Sequence, residues 1–87
     1  MENLQELVGW NLKKLRLKAE LTQVELAVDA QMDPAHVSRI ERGVENPTIG
    51  VLARLTAALE VPITELFKPQ RGGPLPDRLK RGRKKVV

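Results

Sequence analysis

Apolar residues near the start of the chain recur at Leu4, Val8, Leu12, Leu15 and Ala19. That spacing is one face of an α-helix, and it predicts a first helix over about 3–19. Arg16 lies at the edge of the stripe. Trp10 and Leu17 fall opposite it, either partly covered or left for a partner chain. Thr22 is a good N-cap, and Glu25 three residues on completes a capping box. A second helix therefore runs to about residue 29, with Val24, Leu26 and Ala27 as its apolar positions. A new start follows at once. Asp33 is a capping residue, and Pro34 suits the first helical position, where its missing N–H costs nothing. Helix 3 has one narrow apolar edge, Val37 and Ile40, and Gly43 ends it as a left-handed cap. Thr48 caps a fourth helix over about 49–59, with Ile49, Leu52, Leu55 and Leu59 facing inward. A short fifth helix over about 63–67 ends in Leu66 and Phe67. Leu12, Leu15, Leu21, Leu26, Ala27, Val37, Ile40, Leu52, Leu55 and Leu59 are the expected core. With no strand pattern and no internal repeat, the expectation is an all-α, five-helix bundle.

Length and composition narrow what such a bundle can do. A chain of 87 residues supports one domain with a thin core. It has no cysteine and one histidine. That excludes disulfides and thiolate or histidine-rich metal sites, and no cofactor is expected. The opening "MENLQEL" lacks a basic segment followed by an apolar run, so no signal peptide is expected. Charges break every apolar stretch before it reaches membrane-spanning length. The chain is therefore expected to be cytoplasmic, without membrane contact. The net charge of +4 is unevenly placed. Residues 1–67 hold seven Lys/Arg and ten Asp/Glu, while residues 68–87 hold eight Lys/Arg and one Asp. The body is thus acidic by three charges and the tail basic by seven.

This divides the chain into a helical domain, 1–67, and a basic segment, 68–87, "KPQRGGPLPDRLKRGRKKVV". Its paired glycines, three prolines and dense charge predict a flexible tail. The tail is either a solubilising extension or an arm that follows a phosphate backbone. Its "KRGRKK" resembles the basic core of an AT-hook, but without the proline after the second arginine.

Only about three residues, Ala30 to Met32, separate helices 2 and 3. Helices joined so tightly cross steeply, which is the helix-turn-helix arrangement. In it, the second helix turns its polar face and its N-terminal residues toward base edges in the major groove. At this point the sequence resembles the Cro/C1-type (XRE) helix-turn-helix regulators, whose domain is the lambda repressor-like fold. The resemblance rests on "LKKLRLKAELTQVELA", then "SRIERG", then "NPTIGVLARLTAALEVPITELF", in that order. "LTQ…D…HVSRIERG…NPTI" is most similar to the controller proteins of restriction–modification systems.

The resemblance implies a homodimeric, sequence-specific regulator binding double-stranded DNA at an inverted repeat. It places Thr22, Gln23, Pro34, Arg42 and Asn46 at the DNA backbone, and Ala35, His36, Ser38 and Arg39 at the bases. It joins Arg16 to Glu41 as a structural ion pair. Arg39 is the strongest reader by geometry, since its planar fork matches guanine, and Ala35 suits a thymine methyl. Val51, Ile63 and Phe67 are the dimer candidates. Gln31 departs from the family pattern, which has glycine there. A left-handed backbone costs a non-glycine residue about 1–2 kcal/mol, so the turn is expected to deviate slightly. The rival from another class is a protein-interaction module of the antitoxin or coactivator kind, which the acidic body and the Trp10–Leu17 pair favour. An enzyme is not expected, for there is no nucleophile–base set and no phosphate-cradling glycine loop.

Overall fold

Every α-helix starts on a side chain that answers its own free N–H groups. The computed structural model describes residues 3–69 and holds four of them: α1 Leu4–Lys18, α2 Gln23–Ala30, α3 Pro34–Glu41 and α4 Ile49–Leu59. Asn3 caps α1 by accepting from the Glu6 N–H. Thr22 accepts from the Glu25 N–H at 3.0 Å, and the Glu25 carboxylate accepts from the Thr22 N–H at 2.9 Å. Asp33 accepts from the Ala35 N–H, ahead of Pro34 at the first turn of α3. Thr48 accepts from the Val51 N–H at the head of α4. These are local bonds, which is why the sequence places the helix starts so closely.

The fifth element differs from its expectation. Ile63–Phe67 forms a 3-10 helix, not an α-helix. Five residues behind Pro62 are too few to gain much from i→i−4 bonding, and tighter turns are usual in pieces this short. Asn11 fixes this turn from α1. It is 1% exposed, and its Nδ2 donates to the Leu66 carbonyl at 2.8 Å and the Lys68 carbonyl at 2.9 Å.

The chain ends of all four helices pass through left-handed backbone. Gly43 follows α3 with φ +76°, but Glu20, Gln31 and Glu60 take φ of +63°, +59° and +60° without being glycine. Gln31 thus keeps the left-handed turn, against the expected deviation. Bonds from the Gln31 N–H to the Val28 carbonyl and from the Met32 N–H to the Ala27 carbonyl close the helix end and offset the strain.

α1 packs on α3 and on the 3-10 turn, α2 packs on α3 and α4, and α4 also meets the 3-10 turn. The buried centre is Val8, Leu12, Leu26, Ala27, Ala30, Val37, Ile40, Leu52, Leu55 and Leu66. Leu15, Leu21 and Leu59 pack on its edge, as do Val51 and Ile63. Two positions expected to face inward do not. Leu4 is 61% and Ile49 75% exposed, because each begins its helix, beyond the reach of the packed neighbours. Val24 on α2 is exposed as well. Conversely, Leu17 is buried, and Trp10 is half-buried beneath the Lys14 ammonium, 4.8 Å from its ring centre. α1 is covered on more than one side, so of the two alternatives for Trp10 and Leu17 it is the covered one that the structure shows. From residue 70 onward the basic tail lies outside the described residues. No strand occurs among the described residues, and none of their helices is long and apolar enough to cross a membrane.

Candidate nucleic-acid interface

The outward face of α3 is set by what holds the helix from behind. Val37 and Ile40 are at most 1% exposed and point into the core. Residues three and four apart share a helix face, so Ala35, Ser38, Arg39 and Arg42 are turned away from those two, while Pro34, three before Val37, lies at the edge of the buried side. Pro34, Ala35, Arg39 and Arg42 are exposed, and Ser38 is half-exposed.

A buried polar joint fixes the helix's angle. Arg16 of α1 donates from Nε to Glu41 Oε2 at 2.6 Å and from Nη2 to Glu41 Oε1 at 3.1 Å. Its Nη1 donates to the Leu21 carbonyl at 2.8 Å. The two side chains are only 8% and 3% exposed. Gln23 at the start of α2 donates from Nε2 to Glu41 Oε1 at 3.0 Å. One carboxylate at the end of α3 therefore ties together α1, α2 and α3. Such a fork is strong because the ionised partners meet through parallel bonds. The same joint occupies Gln23, leaving one amide N–H for any phosphate.

Gly9 makes the joint close. A Cβ built there would lie 2.4 Å from the Ile40 carbonyl oxygen and 2.7 Å from that of Glu41. Only hydrogen fits between α1 and the end of α3. Neither Gly9 nor Asn11 stands out in the linear sequence. A glycine inside a helical pattern is the one available signal for the first, since helices avoid it without a packing reason.

Beside α3, the N-terminus of α2 offers donors. The first backbone bond within α2 runs from the Leu26 N–H to the Thr22 carbonyl, and the Glu25 N–H is taken by the Thr22 hydroxyl. The N–H groups of Gln23 and Val24 precede that ladder, as at any helix start.

Two of the residues expected at the bases are held by a third. Glu45, in the loop after α3, accepts from Arg39 Nε at 2.9 Å, and its other oxygen stands 3.5 Å from His36 Nε2. His36 is half-buried and its Nε2 is shut off from solvent without a hydrogen-bond partner. Sequence reasoning missed Glu45, because its role depends on the loop folding back along α3. Arg42 and Asn46 are both exposed at the end of the helix and in that loop, and Thr22 is exposed across the turn. Of the dimer candidates, Phe67 is 45% exposed, while Val51 and Ile63 pack partly on the core. No cluster of side chains suited to a metal occurs among the described residues.

Comparison with known proteins gives this geometry a family setting. A helix-turn-helix family model matches residues 12–66. The chain is 37% identical over 67 residues to an uncharacterized HTH-type transcriptional regulator, y4dJ, of Sinorhizobium fredii, spanning 77% of this chain and 87% of that protein. It is 34% identical over 68 residues to control protein C.MunI of a Mycoplasma species, spanning 77% and 92%. Among solved structures, the restriction-modification controller protein C.AhdI from Aeromonas hydrophila superimposes with a TM-score of 0.71 at 32% identity. That match covers 72% of this chain and 96% of that one.

Proposed function

The chain belongs to the XRE-type helix-turn-helix family of transcriptional regulators, and from that premise we propose that it reads an inverted-repeat DNA operator as a homodimer, with α3 in the major groove. One observation carries the reading. The exposed side of α3 bears Arg39 and Arg42, while its other side is sunk in the core and locked by the Arg16–Glu41–Gln23 joint. A rigid helix whose outward residues include a forked guanidinium is what base readout needs.

The residues divide by reach. Arg39 addresses guanine, Ala35 a thymine methyl, and Ser38 and His36 assist. Arg42 and Asn46 grip the phosphates beyond the helix. Thr22, Gln23 and Pro34 grip those before it, aided by the free N–H groups of α2. The acidic body brings few cations to the groove, so the basic segment 68–87 supplies sequence-independent attraction to phosphate. Pairing of two copies through Phe67, with Val51 and Ile63 behind it, sets the two α3 helices one DNA turn apart, about 34 Å.

Selection of bound duplexes from a random library, followed by the mass of the complex, tests this. A palindromic site with two chains bound is the expected result. Recovery of no sequence overturns the reading. It would favour the second one, a protein-interaction module, which is supported by Val24 and Val28, 56% and 67% exposed one turn apart on α2.

A further inference from the structure

Glu45 has no evident task in folding. Its carboxylate is 31% exposed and the Arg39 side chain 44% exposed, and ion pairs this open to water add little to stability. Yet the contact has a particular geometry. Arg39 is held through Nε alone. The guanidinium carries five N–H donors in a rigid plane, so its Nη1 and Nη2 groups stay available for a guanine edge. The second carboxylate oxygen meets the buried, unpartnered Nε2 of His36. His36 and Arg39 are three residues apart on α3, and one carboxylate spans both.

We propose that Glu45 is a specificity-determining positioning residue: it aims the free fork of Arg39 at a guanine and keeps that arginine from settling on phosphate. The inference rests on α3 being the DNA-reading helix. A tethered guanidinium loses fewer rotamers on meeting its base, so preorganisation favours the correct contact. The carboxylate's charge repels backbone phosphates nearby, which weakens wrong complexes more than right ones. Together these raise the ratio of specific to non-specific binding, not the affinity as such.

The test uses the full chain and the duplex it selects from a random library. The base pair under Arg39 is the position whose preference disappears in Arg39→Ala. Wild type is expected to prefer guanine there by at least about tenfold. Glu45→Ala should cut that preference about fivefold or more, leave preferences elsewhere unchanged, and bind a scrambled duplex more tightly. Glu45→Gln keeps an acceptor for Arg39 Nε without the charge. It should retain more of the guanine preference than Glu45→Ala, with the same gain on scrambled DNA. Combining Glu45→Ala with Arg39→Ala should match Arg39→Ala alone in base preference at that position. An unchanged guanine preference in Glu45→Ala overturns the proposal, as does a loss spread evenly over all positions. If wild type selects no sequence, the DNA-reading function falls first and this inference with it. If it selects a site to which Glu45 is indifferent, only the inference falls.

Discussion

Arg16–Glu41 and Arg39–Glu45 join the same two kinds of side chain in opposite surroundings. The first pair is nearly closed to water and bonds through a two-pronged fork. The second is a third to nearly a half exposed and bonds through one nitrogen. Burial decides what each can do. Inside, an unpartnered charge is costly, so each partner of the first pair is bound to the other and together they fix the angle of α3. On the surface, water and salt weaken the pair, so it adds little to stability, and its single-nitrogen contact leaves the rest of the guanidinium open to a further partner. The fold thus uses one ion pair to hold the helix and keeps the other on the face that helix presents.

Removing one member of each pair sharpens the contrast. Arg16→Ala leaves Glu41 buried without its guanidinium and should lower unfolding free energy by about 3–5 kcal/mol. Urea unfolding followed by the single tryptophan, Trp10, reads this; a loss below about 1 kcal/mol would mean the joint is not what fixes α3. Gly9→Ala attacks the same contact without touching charge. Its Cβ would press on two backbone carbonyls, and overpacking of this kind costs about 1–3 kcal/mol. Alanine's better helix propensity offsets part of that. A variant as stable as wild type would show that α1 and α3 can separate freely. At the small end, Arg39→Ala should change stability by no more than about 0.5 kcal/mol in the same assay, as exposed surface substitutions do.

What was legible in the sequence follows the same division between local and distant causes. Thr22 with Glu25, Asp33 with Pro34, and Thr48 are short-range signals, and the helix starts lie where they point. Val37 and Ile40 are buried as their spacing indicates. Periodicity failed at helix ends and on α1. Leu4 and Ile49 fit a stripe but sit beyond its packed part, whereas Leu17 lies off the stripe and is buried. A single stripe describes a helix covered on one side only, and α1 is covered on more. Gln31 shows that local backbone preference yields when the chain must turn between two packed helices. Asn11 and Glu45 carry no local signal, because one acts on residues far along the chain and the other from a folded-back loop, and Gly9 is marked only as a glycine within a helical pattern. Arg16 and Glu41 were paired from family resemblance, not from anything local in either segment.

The central claim is that the outward face of α3 reads bases, with Arg39 as the main reader. It is tested most directly by measuring the affinity of Arg39→Ala for the selected duplex and for a scrambled one at the same salt concentration. The expected loss is about 1–3 kcal/mol on the selected duplex with nearly unchanged binding to the scrambled one. Equal losses on both, or no loss on either, would contradict it.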